Sequence, residues 1–435
     1  MQAYLKNHIL SKNVMVEIEK INRTILFGLI ILIIVSCGSS ANKKNNESNR
    51  SQMNYKPGTY GYDIEFLRNH EIDILELSLN DGNSRIALIP SYQGRVMTSS
   101  ANGIQGISFG WINHPLIESG NVSQQFNPVG GEERFWLGPE GGPFSIYFDQ
   151  GSEQVYENWR VPPVIDTEPF DIVSFDSISA TFNKDAVLNN ASGSTFKLNI
   201  KRKVQILSAE ELSEFLKVDI PADALDIVAY RSDNTITNNG AEAWTREGGL
   251  LSIWLLCMFA PSSSTTVFIP YNPDAEGPVV NDAYFGKVPS DRLLVDNGTV
   301  YFKIDGKLRS KIGIPPQKAQ ELCGSYDSEA KVLTLVWGTL PSGNLPYVNS
   351  QWGDQTDPYS GDFINAYNDG PVDDGSIMGP FYEIETSSPG AELTPGASVS
   401  HSQVVAHVQG DETALAKLVE QLFNLDLKTI STKFN

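Results

Sequence analysis

Residues 195–207 read TFKLNIKRKVQIL, with apolar and polar side chains alternating almost without a break. A period of two belongs to a strand with one face buried. A helix with this pattern would scatter its apolar residues around its whole circumference. Shorter strand signals recur at IDILELS (72–78), SRIALIP (84–90), FSIYFD (144–149) and KVLTLVWG (331–338), bounded mostly by Gly, Asn, Asp or Pro. GLLSIWLLCMF (249–259) is largely apolar but far too short to cross a bilayer, so a buried strand is expected there.

Helical periodicity stands out in two places. Ser208-Ala-Glu-Glu211 is a capping-box pattern ahead of LSEFLK, and Leu415, Leu418, Val419, Leu422 and Phe423 share one helical face. Elsewhere strands follow one another through turns rich in Asn and Gly, of which NTITNNGAEAW (234–244) is the plainest. The expected fold is therefore mostly β: a large antiparallel sandwich with a C-terminal helix packed on its outside.

The N-terminal region reads differently. Lys20 and Arg23 precede an apolar run from Ile25 to Val35, and Ile34-Val35-Ser36-Cys37 matches the bacterial lipobox, whose cysteine is lipidated after cleavage. Met15 is an alternative start. Gly38 to Lys56 is polar and suits a flexible tether reaching about 25 Å. The expected plan is a signal peptide at 1–36, a tether at 37–59 and one domain at 60–435. A lipid on Cys37 would hold the chain to the bacterial envelope membrane, on the periplasmic side of the outer membrane.

The formal charge is −20, and removing residues 1–36, with four basic and two acidic side chains, leaves about −22. Nucleic acid is excluded as a partner, because such sites need clustered Lys and Arg. A monomer is expected. Apart from Cys37 the cysteines are Cys257 and Cys323, too far apart for a metal motif; one disulfide between them is compatible with the sequence, and Cys257 is expected instead to be buried as a small hydrophobe. No phosphate-binding loop, HExxH, GxSxG or CxxC motif is present.

Five segments together resemble an uncharacterised family of bacterial envelope lipoproteins: GGEERFWLGPEGGPFSIYF (130–148), VAYRSDNTITNNGAEAWTREGGLLSIW (228–254), NDAYFGKVPSDRL (281–293), GDFINAYNDGP (361–371) and GPFYEIETSSPGAELTPGASVSH (379–401). That family is similar to the galactose mutarotase-like, or aldose epimerase-like, β-supersandwich proteins. The resemblance implies two packed sheets with a carbohydrate ligand on one concave face. It also implies a general acid and base flanking a sugar ring, usually a mid-chain histidine and a late glutamate. Glu383 and Glu385, two apart on one strand face, supply the glutamate. The histidine has no counterpart, since none stands between residues 115 and 400; His114 in WINHP is the substitute candidate.

Residues 349–374 contain six aspartates, which could supply oxygen ligands to Ca²⁺, though without EF-hand spacing, or could simply cap the turns of a solvated loop. Trp352, Asn365, Tyr367, Asn368 and Asp369 in this segment suit sugar rings and hydroxyls. In NPVGGEERFWLGPEGGPFSIYF (127–148), Trp136 with Glu132, Glu133, Arg134 and Glu140 is either a stacking surface ringed by hydrogen-bonding groups or a core tryptophan between glycine turns. Asp166 and Glu168 form a further carboxylate pair. The candidate catalytic set is Glu385, Glu383, Asp369 and His114; the candidate ligand-binding set is Glu132, Arg134, Trp136, Glu140, Trp352, Asn365, Tyr367 and Asn368. A sugar-binding module, a carbohydrate-active enzyme and an interaction protein without chemistry all remain open. The missing histidine speaks against an epimerase.

Overall fold

The computed structural model describes residues 54–372 and 375–434. The signal segment, Cys37 and the tether as far as residue 53 lie outside them. Among the described residues, strands form three antiparallel sheets. The small sheet holds β1 (Leu75–Leu79), β2 (Ser84–Ile89) and β3 (Arg95–Ser100). Along the chain follow β4 (Arg134–Gly138), β5 (Asp171–Phe175), β6 (Ser179–Asn189), β7 (Thr195–Leu207), β8 (Leu225–Asn238) and β9 (Ser252–Phe259). Next are β10 (Thr265–Pro270), β11 (Leu293–Asp296), β12 (Thr299–Lys303), β13 (Ser310–Ile314), β14 (Leu322–Asp327) and β15 (Val332–Gly338). The last are β16 (Ile364–Asn368), β17 (Tyr382–Ser387) and β18 (Ser398–Gly410). One large sheet has the order β11-β12-β10-β14-β15-β18-β8-β7-β6-β5, the other β13-β16-β17-β9-β4.

The two large sheets pack face to face. Leu255 and Cys257 of β9 and Ile384 of β17 share a buried cluster with Val228 and Tyr230 of β8, Val336 of β15 and Val405 of β18. The opposite face of the larger sheet is covered by helices Ala209–Leu216, Glu412–Phe423 and Leu427–Ser431. Leu212, Leu415, Leu418, Val419 and Ile430 pack there on Leu333, Leu335, Val404, Ala406 and Val408. Burial on both faces explains why β18 reads VVAHV rather than alternating. This is the expected antiparallel β-supersandwich with a C-terminal helix on its outside. The Ser208 capping box also forms: Ser208 Oγ accepts from the Glu211 N–H, and Glu211 accepts from the Ser208 N–H.

β7 coincides with the alternating run at 195–207. Its one polar inward position is Arg202, wholly buried, whose guanidinium bonds both oxygens of Glu133 at 3.2 and 2.8 Å, Asn234 Oδ1 at 2.8 Å and Gly94 O at 3.0 Å. Glu133, also wholly buried, accepts a further bond from Ser232 at 2.8 Å. Every charge in this inter-sheet cluster is thereby matched, which is the condition for keeping one there.

Two local expectations are corrected. FSIYFD is not a strand. Ile146, Tyr147 and Phe148 are buried in succession, and the backbone of 145–147 bonds to Pro139, Arg160 and Ala191 rather than to one ladder. NTITNNGAEAW is not a simple hairpin. β8 ends at Asn238, whose amide bonds the Glu242 and Leu393 carbonyls while the chain crosses to the other sheet. The helix Tyr60–Asn69, capped by Thr59, is an element that the sequence reading does not include; Tyr60, Ile64 and Leu67 lie on its buried face.

Candidate functional site

Strand register determines what the outer face of the five-stranded sheet displays. Lys311 of β13 pairs with Tyr367 of β16, which pairs with Glu383 of β17; Asn365 pairs with Glu385, Glu385 with Leu256 of β9, and Leu256 with Arg134 of β4. Directly paired residues share a face, so all of these project outward while Ile384 enters the core. Trp254 joins them, paired with Ser387 and with Trp136.

Over this face lies a cleft of about 1180 Å³, whose lining includes Glu140, Trp254, Tyr284, Phe285, Arg309, Lys311, Trp352, Asp362, Asn365 and Asp369. Lys311 Nζ donates to both oxygens of Glu385 at 3.0 and 2.9 Å, and the Trp254 indole N–H donates to Glu385 Oε2 at 2.8 Å. The ammonium also lies 4.8 Å from the centre of the Trp254 ring. Burial works against the Lys311 charge, but Glu385, Glu140 and Glu383 outweigh it and hold its pKa above the ordinary lysine value. Beside this pair, Arg134 donates to Glu383 at 2.9 Å and covers the Trp136 ring at 4.1 Å. Burial, opposed by Arg134 and reinforced by Glu385, pushes the Glu383 carboxyl up to about 8.

Asp362 Oδ2 accepts from Tyr284 Oη at 2.6 Å and from Asn281 Nδ2 at 3.1 Å, and Asn365 Nδ2 donates to Tyr284 Oη at 3.2 Å. The carboxyl lies over Gly313, where a Cβ would sit 1.9 Å from Oδ2, so only glycine leaves it room. Burial pushes Asp362 up to about 6 against the opposing pull of Tyr284, Asn281 and Lys311. Asp369 accepts from Tyr367 Oη at 2.6 Å and from the Gly379 N–H at 2.9 Å; burial raises its pKa as well. Arg309 donates to Tyr367 Oη at 3.2 Å and lies 4.2 Å from the centre of the Phe285 ring. On the other side, the Glu140 N–H donates to Ser350 Oγ at 3.2 Å. A Cβ on Gly141 would meet Gln351 O at 2.4 Å and Trp352 Cα at 2.7 Å, so Gly141 is what lets the two segments touch. Burial raises the Glu140 carboxyl against the pull of Lys311 and the Trp352 indole.

Of the residues singled out in the sequence, Glu140, Trp352, Asn365 and Asp369 line the cleft. Glu385, Glu383, Arg134 and Tyr367 are buried behind them on the same sheet face. The others do not line the cleft. Trp136 lies on the same sheet face beside Trp254 but is 3% exposed, covered by Arg134 and donating to Ile165 O at 3.1 Å, so it offers no free ring. Glu132 is wholly buried between the sheets, bonded to Ser99 at 2.8 Å and His407 at 3.1 Å. Asn368 faces inward and holds the Gly306 and Leu308 backbone. His114 opens the short helix His114–Ser119 and bonds Asp63 at 2.7 Å, tying that helix to Tyr60–Asn69 rather than serving the cleft. Asp166 accepts from Asn127 while Glu168 pairs with Lys184, so they do not act as a pair. The calcium expectation finds no support: among the described residues no group of three or more His, Cys, Asp or Glu could hold a metal ion. Asp373 and Asp374 lie outside them.

Sequence reasoning missed Lys311, Arg309, Trp254, Tyr284, Phe285 and Asp362 as site residues. Tyr284 and Phe285 stand in NDAYFGKVPSDRL, a segment that already stood out by resemblance. Lys311, in a short β-run, carries no local signal.

A family model described as a family of unknown function (DUF6786) matches residues 58–434. Comparison with curated proteins gives no match. Among solved structures, a putative aldose 1-epimerase from Escherichia coli K12 is similar at 11% identity over 78% of this chain and 100% of its own, with a TM-score of 0.46. The Slr1438 protein from Synechocystis sp. PCC 6803 is 14% identical over 78% of this chain and 96% of its own, with a TM-score of 0.46. A galactose mutarotase-like protein from Lactobacillus casei is 10% identical over 77% of this chain and 100% of its own, with a TM-score of 0.43. At such identities the likeness concerns chain path and carries no residue role.

Proposed function

The chain belongs to the family of unknown function DUF6786, and we propose that it binds an oligosaccharide in the cleft over its five-stranded sheet. The observation that carries this is the chemistry of the lining. Rings of Trp254, Trp352, Tyr284 and Phe285 stand among carboxyl, amide and ammonium groups of Glu140, Asp362, Asp369, Asn365 and Lys311. Aromatic faces cover the apolar face of a sugar ring, while buried hydrogen-bonding groups orient its hydroxyls. Phe285 and Tyr156, 48% and 54% exposed, extend the aromatic surface to the rim. The volume exceeds the roughly 300–1,000 Å³ of a site for one small ligand, which favours several linked sugar units.

A thermal-shift screen tests this reading, comparing neutral monosaccharides with tri- to hexasaccharides at millimolar concentration. Stabilisation by an oligosaccharide that exceeds the effect of its monomer is expected; an unchanged melting temperature across the screen refutes the reading. The lipobox at Cys37 supports a lipid-anchored location in the bacterial envelope, which would present the cleft to envelope glycans.

A further inference from the structure

We infer that Asp362 is the proton-carrying residue of a hydrolytic centre in this cleft, donating to a glycosidic oxygen while Glu140 takes a proton from the attacking water. The inference rests on the oligosaccharide reading and extends it to an activity. It follows from which carboxyl oxygens the fold leaves free.

Glu385 has one oxygen bonded to Lys311 and the other to both Lys311 and Trp254. Asp369 has Oδ1 bonded to Tyr367 and Oδ2 to the Gly379 N–H. Glu383 is held by Arg134 and does not line the cleft. Asp362 differs: Tyr284 and Asn281 both bond Oδ2, and among the described residues no hydrogen bond reaches Oδ1. Glu140, after the opposite edge strand of the sheet, has its backbone fixed by Ser350 and its carboxyl bonded by the Trp352 indole, the remaining acceptor positions facing the cleft it lines. Both carboxyls line the same cleft as the Lys311 ammonium. A carboxyl pair flanking one site is what glycoside hydrolysis requires.

The step balances without a further reactant. The proton on Asp362 Oδ1 passes to the glycosidic oxygen as the bond from that oxygen to the anomeric carbon breaks, and the bond's electron pair stays on the oxygen. Water adds its oxygen to the anomeric carbon and loses one proton to Glu140. Transfer of that proton through solvent to Asp362 restores both groups, and two shorter sugars leave. Asp362 is faced by Tyr284 from the 271–292 segment and by Lys311 from β13, with Glu385 of β17 acting on Tyr284. Burial brings Asp362 to about 6, so its proton is in place below that pH and is lost above it.

The test incubates the full chain with neutral α- and β-linked tri- to hexasaccharides of glucose, galactose, mannose and xylose, measuring binding by calorimetry and new reducing ends by chromatography. For a bound oligosaccharide, new reducing ends are expected. Asp362→Asn should lower kcat about 100-fold or more, with affinity and melting temperature measured beside it so that a loss of chemistry is separated from a loss of binding or folding. In Tyr284→Phe, loss of a bond that lowers the Asp362 pKa should move the falling alkaline limb of kcat/KM to higher pH. Recovery of every bound oligosaccharide intact overturns the inference and leaves the binding reading standing. So does an Asp362→Asn variant with unchanged kcat. Absence of binding across the panel overturns both.

Discussion

Glu383 and Glu385 are chemically alike and two residues apart, yet their partners separate them. Glu385 faces the Lys311 ammonium, and Glu383 faces Arg134 in a setting that raises its pKa to about 8. A carboxyl whose folded value stands above its unfolded one, about 4.3, stabilises the fold fully below the unfolded value. That contribution is lost as pH rises towards 8. His401 works in the opposite direction: burial lowers it to about 3, so it weakens the fold only as pH falls below its unfolded value, about 6.5. Between pH 6.5 and 8.5 the Glu383 effect should dominate the contrast with a Glu383→Gln variant. Urea unfolding should show wild-type stability declining more steeply with pH across that window than the variant's; parallel slopes would contradict the assignment. The late glutamates could be read from the sequence because their spacing puts them on one face. Asp362 could not, because its role depends on Tyr284, Asn281 and a bare Gly313, all distant in the chain, and it is one of six aspartates in its segment.

Elements were legible where one face is buried and the partner strand runs alongside, as in β7, β15 and the helix Glu412–Phe423. FSIYF failed for a physical reason: its three central side chains are all buried against separate segments, and a period-two reading assumes two distinct sides. The glycines around Trp136 were legible as turns, but the close contact at Gly141 depends on a segment 210 residues further on. Gly141→Ala should displace the Gln351–Trp352 backbone, lowering stability by about 1–3 kcal/mol and weakening ligand binding about tenfold, read by calorimetry beside a melting curve. Unchanged affinity would mean that the Glu140–Trp352 contact does not shape the cleft. Between the sheets, Arg202→Met leaves Glu133 as an unpaired buried charge, and a loss of about 3–5 kcal/mol is expected from urea unfolding. A loss below 1 kcal/mol would show the pair to be dispensable.

At the scale of the whole molecule, two large antiparallel sheets, with helices outside one and a cleft outside the other, set the division of labour. The ionisable and aromatic side chains of the cleft stand on the outer face of the five-stranded sheet, and the ten-stranded sheet with its helices packs behind it. The lipobox predicts that Cys37→Ala moves the protein from the detergent phase of fractionated cells to the aqueous phase; retention in the detergent phase would refute lipidation at that residue. The central claim is that the cleft takes a chain of sugars on its aromatic and carboxyl lining. Its most direct test is calorimetric titration of the wild type and Trp352→Ala with the oligosaccharide that stabilises the protein most. The account expects saturable binding at one site, weakened about tenfold or more by loss of the indole, equivalent to about 1.4 kcal/mol. Equal affinity in the two proteins, or no saturable heat in either, would contradict it.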